Sequence, residues 1–423
     1  MGTVSPLGIG VDTFWRALAA GQSGISVVEQ LEYTALPNNV GGEVKDFTEA
    51  GARKTLLKPV RKMVKVMCRE IQLGVAAASL ALENSGIDLD QEDRSRIGVE
   101  YGANHMHSPP DVLSGGCYAC VDETDKRFVY EQWGTAGLGG MEPLWLLKYL
   151  PNMPACHIGI YADAQGPNNS LTLAEASGNA ALGEAYRIIG RDSADVMIAG
   201  STGTRVHAIK CIHTALWDEL AESPDSPPET WCRPFDKNRN GQVAAEGAAA
   251  FLLEEESHAQ NRGATINGTI LGAGSSCAVS RDGTPRLRDA LANAMRASLK
   301  DARLSPEEVG HINAHGLGER AEDVEEAQAI QIAFGDYAKH VPVTALKSYF
   351  GNSGSGCGTL ELAGSLCSLR EGVILPTLNY ESPDPDCPLN VVRDEPLATT
   401  NKVFMNVNVT VNGQASALVV RGA

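Results

Sequence analysis

Glu175 lies in the string Gly166-Pro167-Asn168-Asn169-Ser170-Leu171-Thr172-Leu173-Ala174-Glu175-Ala176-Ser177-Gly178-Asn179-Ala180. It stands just before a small-residue run that predicts a helix from Ala176 to Ile189. A helix N-terminus offers free N–H groups and partial positive charge, which keeps a carboxylate ionised. A carboxylate cannot act as a low-pKa thiolate. The plain alternative is a surface glutamate in the first turn of an amphipathic helix. His315 closes Ile312-Asn313-Ala314-His315 and precedes Gly316, the end of a predicted strand. An imidazole there is either a proton-handling group or a satisfied structural side chain. Lys347 and Asn352 share the glycine-rich stretch Thr344 to Gly356. The order G-x-x-x-x-G-K-S/T is absent, so a phosphate cradle is rejected.

Two further patterns invite metal chemistry. Asp236, Asn238, Asn240 and Gly241 fall at positions 1, 3, 5 and 6 of a calcium loop, but the acid needed at position 12 falls on Gly247. Cys117 and Cys120 form the one C-x-x-C among ten scattered cysteines, with no second pair to complete a zinc site. Reduced, mostly structural thiols are expected, with no metal and no cofactor. Arg53 to Arg69 is the single basic run; Arg61, Lys65 and Arg69 recur at helical spacing and are expected to share a face. That face is either solvated or a dock for an acidic partner.

These groups need a scaffold, and the chain is long enough for two fused halves. It has 423 residues, 43% of them hydrophobic, and a formal charge of −17. Such a charge argues against non-specific nucleic-acid binding. No run approaches a membrane span, and the opening residues lack a signal peptide and a myristoylation pattern, so a cytoplasmic protein is expected. Alternating helical and strand patterns read as α/β. Strands are predicted at 96–102, 194–201, 248–254, 266–271, 309–314, 341–345, 403–411 and 415–420, the last two around the turn residues Asn412 and Gly413. A helix is predicted over 286–302. The polar run 254–263 marks a boundary, giving halves 1–258 and 259–423. No internal repeat is visible in the sequence.

Several strings resemble the β-ketoacyl-acyl-carrier-protein synthases of the thiolase superfamily. The first is similar to G-P-S-x-S-x-x-T-A-C-T-S-G, with Glu175 where that family carries its nucleophilic cysteine. Ile312 to Glu319, with Asp323 and Glu326, resembles N-A-H-G-T-x-T…D…E, with Leu317 and Glu319 replacing the threonines. The resemblance implies that His315 stabilises an enolate after a malonyl unit loses carbon dioxide. The third string resembles K-S-x-x-G-H-x-x-G-A; Lys347 is kept and Asn352 replaces a second histidine. An amide neither changes charge nor transfers a proton. Asn406 to Gln414 stands where the family shows N-S-F-G-F-G-G-T-N, with Asn408 at the oxyanion-loop position. Val409 and Val411 do not readily adopt positive φ, so a plain strand and an altered oxyanion hole are expected. Arg233 to Gly247 is similar to R-P-F-D-x-x-R-D-G…E-G, and Leu147 to Met153 fits as well.

The resemblance spans nearly the whole chain. It implies an α/β thiolase fold of two similar α/β halves in a five-layer αβαβα arrangement, usually dimeric. The first half would carry Glu175, the second His315 and Lys347. Relatives begin with a short strand before the Met1 to Gly8 string, which leaves that sheet edge open to question. Arg61, Lys62, Lys65 and Arg69 would dock acyl carrier protein. Chain-length-factor subunits keep the fold, replace the cysteine and pair with an active ketosynthase. The reading is therefore a non-condensing subunit that shapes an acyl or polyketide chain, with Glu175 as a charged plug paired with His315 or Lys347. The alternatives are an enzyme of altered chemistry (malonyl decarboxylation, or acid and base work by Glu175 and His315) and a homodimeric acyl-binding scaffold. Cys357 is read as lying away from any helix N-terminus, with nothing to lower its pKa.

Overall fold

The computed structural model describes residues 1–423. Strands β1 (Gly2–Ser5), β2 (Ile97–Ala103), β3 (Asn168–Leu171), β4 (Val196–Thr204) and β5 (Glu246–Glu254) form the first sheet, in the order β1-β5-β4-β2-β3. Strands β6 (Gly268–Cys277), β7 (His311–Asn313), β8 (Pro342–Thr344), β9 (Val403–Val409) and β10 (Gln414–Gly422) form the second, in the order β6-β10-β9-β7-β8. A two-residue strand extends each sheet, Gly8–Ile9 beside β1 and Asn390–Val391 beside β8.

The two sheets follow one plan. In each, the first strand lies antiparallel to the last, the last antiparallel to the one before it, and the remaining neighbours are parallel. The duplication is one of topology, not of sequence. Side-chain identity at surface positions is free to diverge while the burial pattern of each strand is held.

Helices fill the spaces around the sheets. α1 (Arg69–Ser85) and α2 (Met153–Ala162) cover the outer face of the first sheet. α3 (Ser177–Gly190) and α6 (Cys357–Arg370) lie between the sheets, and α4 (Leu287–Ala302) and α5 (Arg320–Phe334) cover the outer side of the second. This is the expected five-layer order. The layers demand strands buried on both faces, and β2 and β4 are buried throughout. The central helices must approach closely, and glycine permits it. A Cβ at Gly358 of α6 would lie 2.5 Å from Asn408 Oδ1, so a larger residue would force the helix away from β9.

Three clusters of 28 buried apolar residues fill the layers. One, with Leu182, Phe251, Leu360 and Leu418, lies between the sheets; the other two lie under the outer helices. The 412–413 turn forms as expected, with Gly413 at φ 75°, although β9 stops at Val409. At the N-terminal edge, the Gly2–Ser5 string is itself the strand, pairing Gly2 to Val4 with Ala250 to Ala248. No helix is long and apolar enough to cross a membrane.

Candidate functional site

β3 leads through Thr172 and Leu173 into a short turn, Ala174–Ala176, and then into α3. Ala174 adopts φ 41°, a conformation costly for a residue with a Cβ. Ser177 Oγ accepts the Leu173 N–H at 2.8 Å, and Ser416 Oγ donates to the Ala176 carbonyl at 2.8 Å. These bonds hold the strained turn and set Glu175 inward, where it is 3% exposed.

The Glu175 carboxylate pairs with the Arg205 guanidinium, which lies one residue beyond the end of β4. It also accepts the Asn352 side-chain amide at 3.1 Å. Glu175 therefore does not pair with His315 or Lys347, as the sequence suggested. The side chain of Arg205 reaches Glu175 first, and it is also held by Asp218 at 2.8 Å and Gln242 at 3.3 Å. Burial pulls the Arg205 pKa down, but Glu175 and Asp218 outweigh it and keep the group charged. Gln242 accepts from Asn352 at 2.6 Å and donates to Glu319 at 2.6 Å. Burial pushes Glu319 up to about 7, against the Gln242 hydrogen bond. Glu322 has no such partner and is pushed up to about 9 by burial and then by Glu319 and Glu175.

A second cluster surrounds His315. Beyond β7 the chain turns at Gly316, and Glu326 of α5 accepts the N–H groups of His315 and Gly316, each at 2.7 Å. Lys347 Nζ donates to Glu361 at 2.5 Å, to the His315 carbonyl at 2.6 Å and to His315 Nδ1 at 3.2 Å. Asn408 Nδ2 donates to Glu361 at 2.8 Å and approaches His315 Nδ1 at 3.4 Å. Both neighbours of Nδ1 are donors, so Nδ1 accepts and the ring proton sits on Nε2, which has no partner. Burial, then Lys347 and Arg205, drive the His315 pKa well down, so the imidazole is neutral. Burial also opposes the charge on Lys347, but the Glu361 carboxylate more than offsets it.

Asn408 lies in regular strand, as expected, is fully buried and accepts from Asn179 at 2.8 Å. Cys357 differs from expectation: it is the first residue of α6, at a helix N-terminus. Its thiol is nonetheless pushed up to about 11, because burial outweighs the nearby Lys347. The sulfur sits 3.3 Å from Asn352 Oδ1.

The basic run is not one helix. After the short helix Glu49–Ala52 the chain passes through turns, with Pro59 among them, to the 3-10 turn Val64–Val66. Arg61, Lys62 and Lys65 are exposed, but Arg69 turns inward. It donates to Glu246 at 2.6 and 2.8 Å and to the carbonyls of Phe47 and Val44. The shared face is therefore corrected. Arg53, Lys54, Lys58, Arg61 and Lys62 instead line one cleft with no apolar residue. Asp236 organises a turn, accepting the N–H groups of Asn238, Glu381 and Ser382 at 2.7–2.8 Å. All ten cysteines are free thiols, and no cluster of three metal-ligating side chains is present.

Arg205, Gln242 and Glu361 are the site residues that sequence reasoning missed. Glu361 is a charged residue inside an apolar and small-residue run, which was the available signal; Arg205 and Gln242 carried none.

Residues 1–259 match the family described as the beta-ketoacyl synthase N-terminal domain, and residues 267–381 match its C-terminal domain. The chain is 34% identical to a 3-oxoacyl-[acyl-carrier-protein] synthase 2 of Coxiella burnetii, over 93% of this chain and 90% of that protein. It is 30% identical to the enzyme of the same name from Staphylococcus aureus, over 93% of each. A beta-ketoacyl synthase from Burkholderia phymatum superposes with a TM-score of 0.85 at 27% identity, covering 100% of this chain and 98% of that one. The ishigamide ketosynthase/chain length factor superposes with a TM-score of 0.82 at 25% identity, covering 100% and 97%.

Proposed function

We propose, from the premise that the chain belongs to the beta-ketoacyl synthase family and has its thiolase fold, that it is a ketosynthase-like subunit that does not condense. Its role is that of a chain-length factor, shaping an acyl or polyketide chain carried on acyl carrier protein beside an active ketosynthase. The observation that carries this is the tethering of Glu175 by Arg205 and Asn352. A carboxylate fixed in this way neither attacks a thioester as a thiolate does nor leaves room for one. Asn352 orients Glu175 instead of moving a proton. The similarity to a ketosynthase/chain length factor supports the same role. The cleft of five basic side chains supports docking of an acidic carrier protein on a chain of net charge −17.

The test incubates the wild type and Glu175→Cys with acyl- and malonyl-carrier protein. It reads intact mass and carbon dioxide. The wild type is expected to gain no acyl mass and release no carbon dioxide; acylation of the wild type would sink the proposal. A second reading, malonyl decarboxylation, is favoured by the unpartnered Nε2–H of His315, a donor available to an enolate oxygen. It requires carbon dioxide release that disappears in His315→Ala. A homodimeric acyl-binding scaffold is the third reading, and co-purification with an active ketosynthase excludes it.

A further inference from the structure

Three histidines meet where β2 and β4 end. The two strands are parallel neighbours, with Ala103 opposite Thr202, so the segments leaving them start side by side. β2 gives way to Asn104-His105-Met106-His107. Met106 turns inward, 5% exposed and 3.8 Å from the Cys68 sulfur, and anchors the segment. His105 on one side of it is exposed, and His107 on the other is half-buried. β4 leads through Arg205 into the helix Ala208–Trp217, which carries the exposed His213. The His107 ring lies between the other two, its centre 4.9 Å from that of His105 and 5.0 Å from that of His213. Both contacts are edge to face, at 84° and 83°. As they stand, the rings pack on one another and do not turn three ligating atoms to one point.

Their spacing nevertheless suits a shared ion. An ion bound to imidazole lies about 2.0–2.1 Å from the nitrogen, hence about 3.2 Å from the ring centre. Two such rings at the tetrahedral angle have centres about 5.2 Å apart. Rotation of the side chains therefore suffices to aim the nitrogens at one point, with no backbone shift, and exposed side chains rotate within nanoseconds. We propose that His105, His107 and His213 bind one divalent late first-row transition-metal ion, with water completing its shell.

The surrounding charge fits this ligand. Burial, followed by His105, Lys210 and His213, pushes His107 down to about 4, so at neutral pH its ring is uncharged and offers a lone pair. Lys210, the cation in that group, is paired with Glu70 at 2.5 Å, which blunts its repulsion of a metal ion. The adjacent His207 is excluded as a ligand through Nδ1, because that atom accepts the Ile209 N–H at 3.2 Å. An ion held here clips the segment after β2 to the helix after Arg205, the residue that holds Glu175.

The test titrates the full-length protein, without a polyhistidine tag, with cobalt(II), read by absorption and calorimetry. One equivalent is expected to bind, with the visible bands of a nitrogen- and oxygen-ligated ion. The near-ultraviolet charge-transfer band that thiolate ligands give is expected to be absent. His105→Ala, His107→Ala and His213→Ala should each weaken binding at least about tenfold, since even a group that only supports a metal ligand contributes about 10- to 100-fold. Cys117→Ser combined with Cys120→Ser should leave the affinity unchanged. No binding at millimolar cobalt overturns the proposal. So does a thiolate band that disappears with the two cysteines, or a loss of affinity in fewer than two of the histidine variants. Should the half-buried His107→Ala fail to fold, the two exposed positions decide.

Discussion

Replacing Arg205 by Met keeps most of the side-chain volume and deletes the charge. The guanidinium is bonded to Glu175, Asp218 and Gln242, and the three ionised side chains are 15%, 4% and 9% exposed for Arg205, Glu175 and Asp218. Breaking a buried pair by removing one partner costs about 3–5 kcal/mol, against about 0–1 for a surface pair. Here two carboxylates lose the same cation, so the upper end applies. That is a third or more of a stability of about 5–15 kcal/mol. Glu175 keeps only the Asn352 amide. Asp218, whose pKa burial already raises, loses its cation and then has a folded-state pKa further above its unfolded one. Such groups contribute stability below the unfolded pKa and lose it as pH rises through the folded value. The gap between wild type and Arg205→Met therefore widens from pH 5 to pH 8. The assay is urea denaturation of wild type, Arg205→Met, Glu175→Gln and the double variant at both pH values. A coupling energy of about 2 kcal/mol at pH 8 is expected, within the range of residues in direct contact. Additivity within about 0.5 kcal/mol, together with a gap that ignores pH, refutes the tethered-carboxylate account.

Three other outcomes follow from the geometry. Glu322→Gln stabilises the protein at pH 8 and loses that advantage toward pH 5, because burial raises the Glu322 pKa to about 9 and its stability contribution fades as pH climbs; melting temperature against pH checks this. Arg69→Ala strands the fully buried Glu246 and costs about 3–5 kcal/mol in denaturant, more than any effect it has on carrier-protein affinity. Reversing Lys54, Lys58 and Arg61 to Glu leaves the melting temperature within a few degrees and weakens carrier-protein binding measured by titration, with the loss greatest at low salt.

The scaffold was legible because its signals are local. β2, β4 and the β9–β10 hairpin are apolar runs bounded by turn residues, and each is found within a few residues of its expected limits. The positions of Glu175 and His315 at element ends were legible. What the sequence hid was pairing across distance. Arg205 lies 30 residues from Glu175, and Gln242 lies 110 from Asn352; no periodicity links residues on different strands and loops. Glu361 sits inside the α6 pattern, where nothing local marks it as the partner of Lys347. Arg69 was misplaced for the opposite reason. Its spacing from Arg61 and Lys65 is helical, but the intervening chain turns, so spacing alone did not define a face. Cys357 was misread because the residues Gly354 to Gly356 suggested a loop, when they form the 3-10 turn that opens α6.

The matched topology of the halves sharpens the choice between a chain-shaping subunit and a decarboxylase. Glu175 stands immediately ahead of α3 and Cys357 at the start of α6, the two helices packed between the sheets. Both positions favour an anion, yet the thiol is held neutral by burial and the carboxylate is already paired. The remaining cations are committed too. Arg205 faces Glu175 and Asp218, and Lys347 faces Glu361. Three paired carboxylates against two cations leave the cluster short of positive charge, before Glu319 is counted. His315 adds none, being neutral. A malonyl carboxylate entering this cluster finds no free cation and meets excess negative charge. A neutral acyl or polyketide chain meets no such penalty. Binding of acyl-carrier protein loaded with a neutral chain should therefore exceed that of malonyl-carrier protein, and Glu175→Gln should narrow the difference by relieving one charge. Equal affinity for both, unchanged in Glu175→Gln, would shift the balance toward decarboxylation at His315.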